Sequence, residues 1–401
     1  LTSVFKNGLK KKLSHLNVGC ISVVDGEGKF SFGDIDSDLQ VNVQVHSQEF
    51  YVMTGSGGAM GIAEAYILGY WTSDDVVMLM RIILKNRSIL MSLDNGFAKV
   101  LSPINKLIHR SRQNTLKGSK ENILAHYDLS NDFYKLWLDP TMTYSCAYFR
   151  DTNTTLEDAS IEKLDRMCRK LKLSKVDNIL EVGTGWGSFS IHAAKNYVCS
   201  IKTTTISDAQ YEYAKTRVVE EGLESKINVI NKDYRKLDGQ YDKIVSIEMI
   251  EAVGYEYISE YFSKLSSLLK PNGLLALQGI TYNDQNFDNY KDSVDFIKKY
   301  IFPGSCLISI SQIIDVIKNK TDLSMIDMED ITRHYAETLN RWRKNFMNVL
   351  PEVKEMGYSK AFINMWEFYF LYCEAGFLER NIGDVQLVFA KSGARDVRVE
   401  Y

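Results

Sequence analysis

The stretch VDNILEVGTGWG, residues 176–187, constrains the fold more than any other part of the chain. An apolar strand pattern runs straight into Gly183, Gly185 and Gly187, spaced G-x-G-x-G, and a helix-like stretch follows. Glycines there let the backbone bend sharply and let a ligand approach where a Cβ would stand. The rhythm then repeats. Residues 199–206, 227–231, 241–247 and 274–280 read as strands. Ser207 caps a helix over 208–221, and a helix over 257–270 is stopped by Pro271-Asn272-Gly273. Upstream, Ile161, Leu164, Cys168 and Leu171 recur at helical spacing. Strands alternating with helices predict an α/β fold with a doubly wound parallel sheet, its ligand loops gathered on one edge.

With 401 residues the chain has room for two or three domains. Residues 1–104 read as a smaller mixed α/β amino-terminal domain. Strands over 21–24 and 30–32 flank the turn Asp25-Gly26-Glu27-Gly28, Val41, Val43 and Val45 alternate with polar residues, and Ser73-Asp74-Asp75 opens a helix. Residues 105–121 are polar, basic and glycine-containing, which predicts a linker, and 122–401 form the second domain. Within it, 282–380 is helical and aromatic-rich, long enough to cover a pocket, before a last strand over 385–390.

The chain is 45% hydrophobic and 25% charged with net charge −3, which excludes a disordered or fibrous protein and a general polyanion binder; no nucleic-acid partner is expected. Six scattered cysteines without a C-x-x-C pair argue against a zinc site or a disulfide frame and for a reduced, cytoplasmic setting. No run approaches the ~18 apolar residues of a membrane span, and the first residues lack the apolar core of a signal peptide.

The glycine spacing is neither the G-x-G-x-x-G of a dinucleotide site nor a phosphate-cradling P-loop. It resembles the loop of S-adenosylmethionine methyltransferases. On that reading Glu181 helps orient the ligand's amino-acid end. Thr205 and Gln210, after the second strand, offer partners for ribose hydroxyls. Asp233 accepts from an exocyclic amine, Tyr234 packs on the adenine, and Arg235 stands beside them. The plain alternatives are a glycine turn, a capped helix start and an exposed turn.

Longer segments carry a closer resemblance: AHYDLSNDFYKLWLDPTMTYSCAYF (125–149), ILEVGTGWGSFSIHAA (179–194), TTISDAQYEYAKTR (204–217), SIEMIEAVG (246–254) and YCEAGFLERNIGDVQLVF (372–389). Together they resemble cyclopropane-fatty-acyl-phospholipid synthases, and the mycolic acid cyclopropane synthases over the second domain. FYVMTGSGGAMGIAEAYILGYWTSDD (50–75) extends the likeness more weakly into the first. The resemblance implies a class I, Rossmann-like methyltransferase domain with a helical substrate cover. It implies transfer of the S-adenosylmethionine methyl to a cis double bond of a phospholipid acyl chain, then ring closure with bicarbonate as the base. The other readings are an N-methyltransferase acting on a small amine, a lipid methyltransferase giving a branched chain, and a lipid-binding protein without activity.

By motif match the resemblance places bicarbonate at the Cys146 backbone amide, Glu251 and Tyr335, with Cys373 lining the pocket. Taken alone, Cys146 reads as a small buried hydrophobe and Glu251 as a surface or capping residue. Many members carry a histidine where Gln278 stands here; an amide holds an anion but does not titrate near neutral pH. Tyr144 and Ser145 are expected against the cofactor, Tyr127 in the pocket, and His126 in a structural role. Peripheral membrane binding follows if the substrate lies in a bilayer. Lys6, Lys10, Lys11 and Lys12, near Val4, Phe5, Leu9 and Leu13, form a basic amphipathic helix candidate, and His109, Arg110, Arg112, Lys117 and Lys120 add charge. Each cluster also fits a solvated face. A homodimer is a further implication of the resemblance.

Overall fold

A computed structural model describes residues 2–89, 129–395, 397 and 399. The expected linker, its basic cluster, His126 and Tyr127 lie outside the described residues. The chain divides into two compact units, each built from separated segments: 1–111 with 292–301 and 339–381, and 112–291 with 302–338 and 382–401. Two parts of the stretch expected to cover a pocket therefore belong to the same unit as the amino-terminal sheet.

That first unit begins with α1 (Thr2–Leu13), β1 (Cys20–Asp25), β2 (Gly28–Gly33), β3 (Gln40–Val45), α2 (Glu49–Ile67), β4 (Trp71–Ser73) and α3 (Val76–Lys85). The sheet order is β2-β1-β3-β4. β1 and β2 form the expected hairpin, and Asp75 caps α3 by accepting from the Met78 amide. α2 is broken at Gly58, whose φ of 61° and ψ of −138° suit glycine alone. The break folds the helix back so closely that a Cβ on Gly61 would run into the Met53 carbonyl oxygen.

The basic helix at the amino terminus is oriented differently from the expectation. Lys6 is only 4% exposed, and its Nζ lies 2.6 Å from both Asp25 Oδ2 and Glu27 Oε2. Lys10 sits over the Phe30 ring at 3.2 Å. Two of the four lysines thus bind α1 to the β1–β2 hairpin. A buried ammonium without such partners would be costly, so the acidic turn Asp25–Glu27 draws the helix inward.

The second unit contains α4 (Leu156–Leu171), β5 (Asn178–Val182), α5 (Ser188–Tyr197), β6 (Ser200–Thr205), α6 (Asp208–Glu220), β7 (Ile227–Asn231), β8 (Tyr241–Ile247), α7 (Ile258–Leu268), β9 (Leu269–Tyr282), α8 (Ile310–Lys320) and β10 (Leu323–Asp330). α9 (Thr332–Asn348) follows, and the division between the units falls within it. α10 (Lys360–Leu378) belongs to the first unit, where it packs on α2 and α3. There Asn364 donates to the Ile67 carbonyl at 3.0 Å, and Tyr66 meets Phe368 at 5.3 Å. β11 (Ile382–Lys391) returns to the second unit.

The large sheet runs β10-β11-β9-β8-β5-β6-β7. β5 to β9 are mutually parallel, β11 is antiparallel to β9, and β10 is antiparallel to β11. From β5 the chain winds outward through β6 and β7, then resumes on the other side with β8 and β9. The order therefore reverses between β5 and β8, and a crevice opens beyond their carboxyl ends, where ligands bind in such sheets. Ser207 caps α6 as expected, accepting from the Gln210 amide. β10 departs from the sequence expectation of helix. It is an edge strand whose Met325, Ile326 and Met328 are exposed, so it lacks the alternation that marks a half-buried strand.

Candidate active site

The glycine loop lies at the carboxyl end of β5. Gly183, Gly185 and Gly187 have φ of 101°, 52° and 90°. The amides of Gly183 and Thr184 both donate to the Thr204 carbonyl at 3.0 Å, which ties the loop to β6. A Cβ on Gly183 would stand 3.2 Å from Met249, in the segment after β8, whereas one on Gly185 would enter open space. Beside the loop Tyr144 joins Tyr134 and Trp137, each at 5.5 Å, and Phe302 at 6.4 Å. Trp186 is fixed by donation to Asn131 Oδ1 at 2.8 Å. Left-handed glycines next to an aromatic wall fit the binding of S-adenosylmethionine, whose sulfonium is attracted to ring faces.

Several residues expected to touch that cofactor are committed elsewhere. Glu181 accepts from Thr203 at 2.6 Å and from Ser190, so its carboxylate braces β6 and α5. Burial pushes its pKa up to about 7. Thr205 donates to Gln210 Oε1 at 3.0 Å, so these two side chains bond each other. Asp233 is clamped by Arg235, which donates Nε to Oδ1 at 2.9 Å and Nη2 to Oδ2 at 2.7 Å. Tyr234 is buried in the core against Tyr261, at 5.3 Å, rather than offered to a ring in the crevice. Ser145 accepts a 2.6 Å hydrogen bond from the buried Lys163.

Across the switch point, the loop after β8 carries Glu248. Its Oε1 accepts from the Cys146 amide and from Gln278 Nε2, each at 2.8 Å. Its Oε2 accepts from the Tyr335 hydroxyl at 2.6 Å. Glu251 Oε1 accepts from the Ile280 amide, while its buried Oε2 has no hydrogen-bond partner. Gln278 is completely buried, with its Oε1 accepting from Gln386 Nε2 at 3.0 Å. Asp384 is also completely buried; its Oδ2 lies 3.5 Å from Gln278 Nε2 and its Oδ1 has no partner.

Burial and mutual repulsion govern this cluster. Glu251 is pushed up to about 8, first by burial and then by the charge of Glu248. Glu248 and Asp384 are also raised, mainly by burial. Lys163 is the buried counter-charge, and burial lowers its own pKa. The Cys146 thiol is pushed up by burial, which makes it a poor nucleophile. Cys373 lies on α10 in the first unit, where burial also raises its thiol. The structure thus brings Cys146, Gln278, Glu251 and Tyr335 to one place, and adds Glu248, Asp384, Gln386 and Lys163, which sequence reasoning missed. The signal for Glu248 is its place in SIEMIEAVG, directly after a strand and three residues before Glu251.

These contacts also test the fit of bicarbonate. The Cys146 amide, the Tyr335 hydroxyl and the Gln278 amide already point at Glu248, and the Ile280 amide at Glu251. A further anion would find its donors engaged and three buried carboxyl groups around it. The site as built does not fit bicarbonate.

The model of the mycolic acid cyclopropane synthetase family matches residues 114–387, more than half of the chain. The chain belongs to that family. The family part includes the glycine loop, the loop after β8 and the Tyr335 region. The chain is 32% identical over 370 residues to the cyclopropane-fatty-acyl-phospholipid synthase of Escherichia coli K12, covering 91% of this chain and 92% of that enzyme. It is 35% identical over 347 residues to the tuberculostearic acid methyltransferase UfaA1 of Mycobacterium tuberculosis, covering 84% of this chain and 80% of that enzyme. Among solved structures, the mycolic acid cyclopropane synthase CmaA1 with SAH and CTAB aligns with a TM-score of 0.63 at 29% identity, over 68% of this chain and 98% of CmaA1. Membership makes this protein an S-adenosylmethionine-dependent methyltransferase with a class I fold. Among the described residues, no helix is long and apolar enough to cross a membrane.

Proposed function

We propose that this protein is a cyclopropane-fatty-acyl-phospholipid synthase, methylating a cis double bond of a phospholipid acyl chain and closing the ring. The observation that carries this reading is the match to the Escherichia coli synthase over 91% of the chain, well into the amino-terminal unit. The mycobacterial cyclopropane mycolic acid synthase 1 aligns with only 57%. When bound, S-adenosylmethionine supplies an electrophilic methyl carbon. An alkene is a weak nucleophile, so the glycine loop and the aromatic wall must hold the reacting groups close and in line. Tyr144 and its neighbours stabilise positive charge without attacking it. Burial around Cys146 and Gln278 keeps out water that would trap a carbocation.

Incubation with labelled S-adenosylmethionine and unsaturated phospholipid vesicles, with the lipid product read by mass spectrometry and proton NMR, tests the reading. The expected product carries one added CH2 and the upfield ring protons of a cyclopropane. Label in a small amine, with none in lipid, overturns it. The likeness to a tuberculostearic acid methyltransferase supports a second reading, a branched chain, which the same spectrum separates by its lack of ring protons.

The reading has the enzyme docking on a membrane surface as a homodimer. With Lys6 and Lys10 engaged inside the first unit, the attraction falls to Lys11 and the basic residues of 105–121. Flotation with anionic vesicles is expected to weaken as salt rises. Equal, salt-insensitive binding to neutral vesicles removes the electrostatic part.

A further inference from the structure

We propose that Glu248 is the base of the reaction, its own carboxylate standing where the family resemblance places bicarbonate. The inference rests on the proposed lipid methylation and deepens it. A carboxylate and bicarbonate present the same planar O–C–O anion to hydrogen-bond donors. The Cys146 amide and Gln278 Nε2 converge on Oε1, each at 2.8 Å, and the Tyr335 hydroxyl on Oε2 at 2.6 Å. The donors expected to hold a free anion thus hold a side chain.

Two further observations support a built site. Gln386 donates to Gln278 Oε1 at 3.0 Å, so the amide of Gln278 is turned with its N–H toward Glu248. A neutral amide fixed at both ends steadies the carboxylate without competing for its proton. The backbone of Glu248 has φ of 47°, a region that non-glycine residues avoid, and its amide donates to the Gln278 carbonyl at 2.8 Å. Left-handed backbone at a non-glycine residue is retained where its surroundings enforce it, often at functional sites. Here Gln278 holds both the backbone amide of Glu248 and its side chain.

The step balances without a further reactant. As the alkene's π pair bonds the methyl carbon, the methyl's C–S bond breaks and its electron pair stays on sulfur as a neutral thioether, leaving the neighbouring chain carbon cationic. A lone pair of the Glu248 carboxylate takes a proton from the added methyl. The C–H electron pair closes onto the cationic carbon and completes the ring. The proton then rests on Glu248 until it passes to solvent after product release.

The experiment compares wild type, Glu248→Gln and Glu248→Gly in CO2-scrubbed buffer, with and without added bicarbonate or formate. Glycine suits a left-handed backbone, so Glu248→Gly should fold while leaving a carboxylate-sized space among the same donors. Wild type is expected to keep its turnover within about twofold on scrubbing, and Glu248→Gln to lose about 100-fold, unrestored by bicarbonate. Glu248→Gly should lose a similar amount and regain about tenfold or more with formate or bicarbonate, while binding S-adenosylmethionine as before. A wild type that loses about tenfold on scrubbing and recovers with bicarbonate overturns the inference, as does Glu248→Gln within about tenfold of wild type. Lipid product absent from wild type under every condition sinks the proposed reaction instead.

Discussion

Glu251→Gln is expected to be more thermostable than wild type at pH 8, about equally stable at pH 4, and within about tenfold of wild-type turnover at pH 7. The stability half follows from proton linkage. The folded pKa of Glu251, about 8, stands above its ordinary 4.5. Between those values the folded protein keeps a proton that the unfolded chain has lost. Stability therefore falls as pH rises through the window, and the loss is complete above about 8. Glutamine does not ionise, so its stability lacks this slope, and the difference at pH 8 is roughly 4 kcal/mol. Glu181, pushed up to about 7, adds the same sign of slope to both proteins and cancels in the comparison. The kinetic half follows from the same proton: below about 8 the folded Glu251 is neutral, so an amide of the same shape leaves the charge beside Glu248 unchanged at neutral pH. Melting curves at both pH values and single-turnover rates check the two halves. An unchanged pH slope would mean that Glu251 is ionised in the folded protein.

The sheet was legible because its signals are local. An apolar run ending in Gly183-Thr184-Gly185, and the caps Ser207 and Asp75, each report backbone geometry within a few residues. β10 escaped because an edge strand with exposed methionines carries no alternation. The partition into units was illegible for the opposite reason. Asn364 reaches the Ile67 carbonyl, and Lys299 reaches Glu64 at 2.6 Å, contacts between residues more than 200 positions apart. The site divides in the same way. The glycine loop and Glu251 could be found by motif, but motif did not foresee that Thr205 and Gln210 bond each other or that Arg235 holds Asp233. Short polar residues at strand ends bond their neighbours in an ordinary turn as readily as they bond a ligand. Lys163 did leave a trace. It lies on the α4 face of the buried Ala159, Ser160 and Met167, at the i+3 and i+4 spacing of an inward stripe. A lysine there must be paid for by buried acids, and Glu248, Asp384 and Asp139 act on it.

That placement gives Lys163→Met the second large effect. Lys163 is the buried cation whose field favours ionised Glu248, against the burial that favours its protonated form. The charge of Asp384 opposes it, while Tyr335, Gln278 and the Cys146 amide stabilise the carboxylate by hydrogen bonds. With methionine at 163 the Glu248 pKa rises further, and less carboxylate is present at neutral pH. A base must be ionised to act, so the acidic limb of the turnover profile moves to higher pH. The expected loss is about 10–100-fold at pH 7, recovering in part as pH rises toward 9. The ordering of Ser145 is lost as well, since Lys163 Nζ is its donor at 2.6 Å. A Lys163→Met profile scaled down equally at every pH would assign the lysine a packing role only, because loss of packing does not move a titration. A profile displaced upward places Glu248 in the ionised form during turnover, with the charge on α4 setting the pH at which the methylated lipid cation can lose its proton.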